Sequence, residues 1–265
     1  MMNKYTFNDL LEIMKKLRAE NGCPWDREQT NESIKNDTLE EAYEVVEAIN
    51  NQDDENLAEE LGDLLLHVVF HSRIKEEEGS FSVEDVIHGI VEKLIRRHPH
   101  VFPSQDNKDN NVNGSEEVLI QWEDIKQKEK NYEEHSQGLR NVPKALPALT
   151  RAYKVQKKAA RCGFDFVNQE QLVDKLQEEL AEVKNALLHD DFVNLDEEIG
   201  DLLFQTVNIA RFFKINPENA LTNATEKFIN RFEGIEQLAV ANGKRLDDLS
   251  LKQMDELWEQ VKRSK

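Results

Sequence analysis

Apolar residues recur at three- and four-residue spacing along most of this chain, and that periodicity limits the fold more than any other feature of the sequence. No convincing run alternates with the period of two that a half-buried strand shows. Charged residues make up 33% of the chain and aromatic residues only 7%, a composition that also favours long helices. We therefore predict an all-α protein with helices at 6–20, 32–51, 55–77, 82–97, 116–134, 147–161, 169–189, 193–214, 217–240 and 247–263.

The net charge of −19 argues against a nucleic acid or an anionic membrane as a partner, because proteins bind both mainly through Lys and Arg. The start of the chain, MMNKYTFNDLLEIMKKLRAE, lacks the apolar centre of a signal peptide. The longest apolar run, LLLHVVF, is interrupted by His67 and is too short to span a bilayer. Two cysteines, Cys23 and Cys162, do not indicate a disulfide framework, so we expect a cytoplasmic protein with reduced thiols.

Blocks of sequence recur in the same order in the two halves of the chain. EEAYEVVEAI in the first half corresponds to EELAEVKNAL in the second, and EELGDLL corresponds to EEIGDLL. EKLIRR and WEDIK then correspond to EKFINR and WEQVK, which indicates a duplicated unit of roughly 100 residues. Gly138, Pro143 and Pro147 lie between the halves, so we predict repeats at 1–137 and 138–265, with a mobile Asn-rich loop at 103–116 in the first.

Each repeat carries acidic residues three positions apart on two consecutive helices. In the second repeat these are Glu179 with Glu182, and then Glu198 with Asp201. Residues three apart project from one side of a helix, and a short turn near HDDFVN would pack the two helices antiparallel, so the four carboxylates can meet. Such a cluster is unfavourable unless a cation neutralises it, and oxygen ligands favour Mg²⁺ or Mn²⁺ over Zn²⁺.

The second of these helices is apolar around most of its circumference from Ile199 to Phe213, which predicts a central position in the fold. Gly62 and Gly200 occupy matching positions in the two repeats, and glycine within a helix costs up to about 1 kcal/mol relative to alanine. We therefore expect both glycines to allow a close approach of helices beside the metal.

Several of these features also have an ordinary structural interpretation. One E-E-x-x-E motif alone is usually a solvated helix face, although pairing and duplication make that interpretation weak here. Lys227 and Arg231 lie four apart, as in a phosphate clamp, yet each cation alone is more often a surface residue. Trp258 alone is more often a packing residue.

His67 and His71 lie four apart in the first repeat, a spacing that also occurs in metal sites. The second repeat has Gln205 and Ile209 at the matching positions, so we expect packing or a polar contact for the two histidines. A di-iron bundle requires Glu-x-x-His on two helices, and the second repeat lacks that motif.

The pairing of E-E-x-x-E with E-x-x-D resembles the all-α nucleoside triphosphate pyrophosphohydrolases. The tandem arrangement, with VPKALPALTRAYKVQKKAARCGFDF between the halves, resembles the MazG family, and the resemblance covers essentially the whole chain except the loop at 103–116. It implies hydrolysis of ribo- or deoxyribonucleoside triphosphates between the α and β phosphates, with Mg²⁺ or Mn²⁺ and with broad base specificity. It also implies a house-cleaning role against aberrant nucleotides and a homodimer formed through bundled helices.

The resemblance assigns roles to residues in the second repeat. Glu178, Glu179 and Glu182 are the catalytic candidates, and Glu178 is a candidate helper to the others. The four metal-ligand candidates are Glu179, Glu182, Glu198 and Asp201. The substrate-binding candidates are Lys175, Glu178, Glu197, Lys227, Arg231, Trp258, which would stack on the base, and Lys262. A second and less active site in the first repeat would comprise Glu40, Glu41, Glu44, Glu60, Asp63, Lys93, Arg97 and Trp122.

Charge near the carboxylates distinguishes the two repeats. Aligning Glu41 with Glu179 places Asp37 opposite Lys175, so an anion replaces a cation one turn before the ligands. We therefore expect the second repeat to be the catalytic one. Two alternatives from other classes stay open: a sensor that binds nucleotide and Mg²⁺ without turnover, and a helical dimer scaffold whose carboxylates hold only a structural ion.

Overall fold

A computed structural model describes residues 4–103, 114, 117–118, 121–122, 125, 129 and 135–263. All regular secondary structure in these ranges is helical, which confirms the all-α prediction. The predicted loop at 103–116 and the predicted helix at 116–134 lie mostly outside the described residues. The chain forms two compact units, Met1–Glu129 and Lys130–Lys265. The boundary predicted from the sequence, between residues 137 and 138, stays a prediction.

Helices α1, α4 and α5 of the first unit begin where side chains cap their free backbone N–H groups. Thr6 and Asp9 form a capping box at the start of α1, and Ser82 and Asp85 form another at the start of α5. Asp53 caps α4 by accepting a hydrogen bond from the backbone N–H of Asn56. The fully described helices of this unit are α1 (Phe7–Leu17), α2 (Pro24–Glu28), α3 (Lys35–Asn51), α4 (Asp54–Glu77) and α5 (Val83–Arg97).

The core of the first unit forms where α1 and the start of α3 pack on the C-terminal half of α4. Its buried side chains are Met14, Ile34, Val69, Phe70 and Ile74. Helices α3 and α4 pack against each other as a hairpin, because only Gln52 and Asp53 separate them. This hairpin carries all the acidic residues predicted for the first repeat.

The second unit repeats the hairpin and adds a helix pair at its C-terminal end. Asn168 and Asp191 cap the two hairpin helices through their side chains. The elements are α6 (His135–Arg140), α7 (Ala148–Arg161), α8 (Gln169–Leu188), α9 (Phe192–Phe212), α10 (Pro217–Ala241), a 3₁₀ turn (Leu246–Asp248) and α11 (Leu251–Arg263).

A separate core forms between α10 and α11. Its buried residues are Ile235, Ala239, Leu249, Leu257 and Val261. At Gly234 an added Cβ would lie 2.8 Å from Cγ1 of Val261, so the close approach of α11 to α10 requires glycine there.

The prediction that α9 is central is wrong for the single chain. Ile199, Leu203 and Phe204 are 44%, 53% and 44% exposed, and the buried residues of this helix are Gln205 and Val207. The helix packs against α8 and α7 but leaves a wide apolar surface uncovered. Packing among the described residues therefore does not explain its apolar circumference.

The role expected for the paired helical glycines is also wrong. A Cβ built at Gly62 or at Gly200 meets no described atom within 4 Å, so none of the described helices approaches either position closely. Among the described helices, none is both long and apolar enough to cross a membrane.

Candidate active site

The C-terminal carboxylate cluster is built by the hairpin of α8 and α9. The Gln205 side chain fixes the alignment of the two helices, because its amide donates a hydrogen bond of 3.0 Å to the backbone carbonyl of Leu172. Since the helices run in opposite directions, residues after Leu172 on α8 lie beside residues before Gln205 on α9. Glu179 and Glu182 therefore face Glu198.

Three of the four predicted metal ligands come together. Glu179, Glu182 and Glu198 each offer a carboxylate oxygen, and these oxygens lie within 4.8 Å of one another. Glu179 is only 5% exposed, whereas Glu198 is half-buried and Glu182 is exposed. Asp201 is exposed and lies outside this group. Its predicted role as a ligand stays a prediction.

Lys175 belongs to this cluster. Its ammonium lies 2.8 Å from a carboxylate oxygen of Glu178 and 2.9 Å from one of Glu179. Hydrogen bonds to Glu178 and then to Glu179 raise the pKa of Lys175 above its usual range. The cation that the sequence assigned to phosphate binding thus neutralises its own neighbours, and Glu178 holds it in place.

The cluster keeps an excess of negative charge. Desolvation raises the pKa of Glu182, and the nearby Glu198 carboxylate and a hydrogen bond with Glu179 raise it further. The three carboxylates form an all-oxygen donor set that fits a hard divalent cation, and the one ammonium offsets only part of their charge. Lys175 already pairs with the nearly buried Glu179, so the charge left without an ammonium partner in this group is that of Glu182 and Glu198.

The other predicted substrate contacts lie on α10 and α11. The Arg231 guanidinium lies over the Trp258 ring, 5.6 Å from its centroid, and Phe228 packs against the same ring with centroids 5.3 Å apart. Trp258 is half-buried against the core of these helices, and Lys262 lies 3.5 Å from Glu259. Glu197 and Lys227 are exposed. In the described part of the chain, no hydrogen bond or ion pair joins these side chains to the carboxylate cluster.

The first unit contains a related cluster, the N-terminal carboxylate cluster, which includes Asp63, the counterpart of Asp201, but not Glu44, the counterpart of Glu182. Oxygens of Glu41, Glu60 and Asp63 lie within 4.8 Å of one another, and all three residues are half-buried. Desolvation and the Asp63 carboxylate raise the pKa of Glu41. Desolvation, followed by the neighbouring Glu44, raises the pKa of Glu60. Glu40 is exposed.

Two histidines beside this cluster take part in a polar network, in keeping with the polar contact expected for them. Nδ1 of His71 lies 2.7 Å from the side-chain oxygen of Asn31, and its Nε2 lies 2.9 Å from the hydroxyl of Thr38. The same hydroxyl lies 3.3 Å from Nδ1 of His67, whose Nε2 lies 3.9 Å from Oε1 of Glu41. Sequence reasoning missed Asn31 and Thr38, because a single polar residue near the start of a helix carries no distinctive signal.

The predicted phosphate cation of the first unit is already paired. Arg97 donates hydrogen bonds of 3.2 and 2.5 Å to Glu129, and Arg96 donates one of 2.6 Å to the same carboxylate. Trp122 contacts the ring of His98 edge-on, with centroids 4.8 Å apart. Lys93 is exposed.

Comparison with known proteins places both clusters in a recurring domain. The MazG nucleotide pyrophosphohydrolase domain matches residues 29–102 and again 167–235. The nucleoside triphosphate pyrophosphohydrolase/pyrophosphatase MazG of Thermotoga maritima is 45% identical over 259 residues, which cover 97% of this chain and 95% of that protein. The nucleoside triphosphate pyrophosphohydrolase of Escherichia coli K12 is 46% identical over 259 residues, or 96% of each chain.

A shorter similarity extends to the nucleoside triphosphate pyrophosphohydrolase of Mycobacterium tuberculosis. It is 36% identical over 157 residues, which cover 58% of this chain and 45% of that protein. The two separate domain matches confirm the internal repeat that the sequence predicts.

Proposed function

This chain belongs to the MazG family of nucleotide pyrophosphohydrolases, and we propose that its C-terminal carboxylate cluster is where it hydrolyses nucleoside triphosphates to the monophosphate and pyrophosphate. The observation that carries the proposal is the nearly buried Glu179, which lies with Glu182 and Glu198 in one group and bonds the ammonium of Lys175 at 2.9 Å. Carboxylates and a cation in contact are what a metal-assisted phosphate site requires.

Mg²⁺ is the proposed cofactor, with Mn²⁺ as a substitute. Glu179, Glu182 and Glu198 would hold it, because they present only hard oxygen ligands, and Asp201 remains a candidate fourth ligand one turn after Glu198. A divalent cation bound there supplies charge that offsets the phosphates and makes a coordinated water more acidic.

Lys175 has a second role in this proposal. A divalent cation competes with the ammonium for the Glu179 carboxylate, since both are attracted by the same charge. Glu178 continues to hold Lys175 at the edge of the cluster, where the ammonium is available to a phosphate oxygen. Glu182 also remains a catalytic candidate, because it lies in one group with Glu179 and Glu198.

The N-terminal carboxylate cluster is the weaker candidate for turnover. Asp37 stands there in place of Lys175, so no ammonium offsets the charge of an incoming triphosphate at that position. Arg97, the counterpart of Arg231, is bound to Glu129 and therefore must break that pair to reach a phosphate.

We also propose that a second copy of the chain covers the exposed apolar surface of α9. Ile199, Leu203 and Phe204 on this helix, and Phe228 on α10, are all more than two-fifths exposed. Surfaces of this kind mark interaction sites in proteins that are otherwise highly charged. Broad base specificity, a house-cleaning role and a cytoplasmic location stay predictions from the family resemblance.

Pyrophosphate release from a panel of ribo- and deoxyribonucleoside triphosphates tests the proposal. We expect turnover with Mg²⁺, none after thorough chelation with EDTA, and recovery when Mg²⁺ is added back. Solvent ¹⁸O should enter the monophosphate if water attacks the α phosphorus. Full activity in the chelated sample would contradict the carboxylate mechanism. Nucleotide binding without turnover would indicate a sensor, and neither binding nor turnover would indicate a scaffold.

A further inference from the structure

We propose that the N-terminal carboxylate cluster is a mixed nitrogen and oxygen metal site, in which His67 joins Glu41, Glu60 and Asp63. Such a site would take a transition-metal ion, namely Mn²⁺, Co²⁺ or Zn²⁺, in preference to Mg²⁺. The site would be chemically distinct from the C-terminal cluster, and it requires no turnover of nucleotide by the first unit.

The position of His67 on α4 brings its ring to the cluster. His67 follows Asp63 by four residues and Glu60 by seven, so all three side chains lie along one face of the helix. The residue is only 8% exposed. Its Nε2 lies 3.9 Å from Oε1 of Glu41 on the facing helix α3, which is beyond hydrogen-bonding distance. Two ligands of one ion lie about 3 to 4 Å apart when each bond is about 2.1 Å long, so this distance fits an ion shared by His67 and Glu41. His67 lies outside the group of Glu41, Glu60 and Asp63 whose oxygens are within 4.8 Å of one another, so the ion would have to draw its ring towards Glu60 and Asp63.

The hydrogen bonds around His67 leave the lone pair on Nε2. Oδ1 of Asn31 can only accept, so His71 donates Nδ1–H to it, and its Nε2 accepts the hydrogen of the Thr38 hydroxyl at 2.9 Å. The Thr38 oxygen has no second hydrogen and therefore accepts from Nδ1–H of His67 at 3.3 Å. The neutral ring then carries no proton on Nε2, the atom that faces the carboxylates. In the described part of the chain, that atom has no hydrogen-bond partner. A histidine that binds a metal is held in the same way, with its other ring N–H donated to a fixed acceptor.

His71 does not compete for the ion. Both of its ring nitrogens are engaged, one by Asn31 at 2.7 Å and the other by Thr38 at 2.9 Å. The network therefore fixes Thr38, and Thr38 in turn fixes the ring of His67. In this arrangement His67 binds the ion and His71 holds Thr38 in place, so both histidines have a role that the catalytic proposal for the second unit does not give them.

The C-terminal cluster offers no equivalent nitrogen. Gln205 occupies the position of His67, and its amide donates to the carbonyl of Leu172. Leu176 and Ile209 stand where the first unit has Thr38 and His71. Imidazole nitrogen favours transition metals, whereas Mg²⁺ favours oxygen ligands in an octahedral arrangement. The two units therefore have donor sets suited to different ions.

Charge also favours cation binding in the first unit. Three carboxylates contribute there, and Asp37 replaces the lysine that neutralises part of the C-terminal cluster. A divalent cation thus meets no competing ammonium at that position.

Electron spin echo spectroscopy of the full chain with bound Mn²⁺ tests the site without nucleotide. In protein labelled with ¹⁵N-histidine, we expect coupling between Mn²⁺ and a directly bound histidine nitrogen. His67→Gln, which installs the residue found at the matching position of the second unit, should abolish this coupling. It should also weaken Mn²⁺ or Zn²⁺ binding by about tenfold or more in calorimetry, with little change for Mg²⁺. His88→Gln, at an exposed position on α5, is the matched control and should retain the coupling.

Glu60→Gln provides an independent variant that leaves the histidine network untouched. It should also reduce the nitrogen coupling at one equivalent of Mn²⁺, because it removes a ligand of the same ion. An absence of nitrogen coupling in the unmodified chain with Mn²⁺ bound would overturn the proposal. Persistence of the coupling in folded His67→Gln would overturn it as well. Since no nucleotide is present, either result leaves the proposed catalytic function to be judged by its own assay.

Discussion

Lys175 shows at the scale of one residue how the C-terminal cluster balances its charge. Its ammonium is bound by Glu178 and Glu179, and the sequence alone does not reveal this, since a lysine one turn from a ligand is equally placed to reach substrate. In the proposed site, the same side chain would have opposite effects on two ligands. It would oppose a divalent cation at Glu179 and favour the phosphates of a nucleotide.

Replacing Lys175 by Gln should separate these effects. We expect KM for the nucleotide to rise about tenfold, because a cation beside the phosphates is lost, while Mg²⁺ binding in the absence of nucleotide becomes tighter. Steady-state kinetics and calorimetry measure the two changes. Lys184→Gln removes the same charge from an exposed position on the same helix and serves as the control. Weaker binding of both Mg²⁺ and nucleotide would contradict the competition at Glu179.

Glu129 gives a pH-dependent test in the first unit. A hydrogen bond from Arg97, followed by one from Arg96, lowers the pKa of Glu129 to about 2. A depressed carboxyl pKa means that the stabilisation is present above the unfolded pKa, near 4.5, and is lost as the pH falls towards 2. We expect Glu129→Gln to reduce the free energy of unfolding by about 1 to 2 kcal/mol at pH 7 and by less at pH 3. Urea unfolding at both pH values measures this, and an equal loss at the two would refute the assignment.

At the scale of helices, the close packing of α11 on α10 depends on the absence of a side chain at Gly234. Gly234→Ala should destabilise the second unit by about 1 to 3 kcal/mol, because the new Cβ would lie 2.8 Å from the stiff side chain of Val261. Val261→Ala in the same chain should recover part of the loss, since it removes the clashing atoms.

Gly200→Ala is the contrasting variant in thermal unfolding. Its Cβ meets nothing within 4 Å, and alanine favours the helix by up to about 1 kcal/mol, so the single chain should be as stable as before or more stable. Equal destabilisation by the two glycine substitutions would contradict this account, because alanine favours both helices and only the Cβ added at Gly234 meets a neighbouring side chain.

The sequence predicts the helices well because their periodicity and caps are local. The sequence does not predict which part of the protein packs against a given helix face. The apolar circumference of α9 suggested burial within the chain, yet Ile199 and Leu203 are exposed, because periodicity identifies an apolar face without identifying what covers it. For the same reason, Gly62 and Gly200 suggested close packing that the described helices do not provide.

For the candidate site, the sequence predicted the acidic residues but not the side chains that bind them. Repeated spacing identified the acidic residues, and the hairpins bring together Glu179, Glu182 and Glu198 in one unit and Glu41, Glu60 and Asp63 in the other. Side-chain partners were not predictable, since the bonds of Lys175, Arg97 and His67 depend on rotamers and on distant residues.

For the whole molecule, duplication has produced two carboxylate clusters with different surroundings. The C-terminal cluster has Lys175 and only oxygen ligands, whereas the N-terminal cluster has Asp37 nearby, His67 facing it and Arg97 bound to Glu129. Because the surroundings of the two clusters differ, we expect the two repeats to have different functions, with triphosphate hydrolysis in the second unit.

Pyrophosphate release by Glu182→Gln and Glu44→Gln compares matching positions of the two repeats and tests this claim most directly. Both variants must be folded by circular dichroism and equal in oligomeric state by size exclusion. We expect Glu182→Gln to abolish release, because it removes a carboxylate from the C-terminal cluster, and Glu44→Gln to retain most of it. The reverse pattern would place the enzyme in the N-terminal half, and equal partial losses would mean that both halves turn over substrate.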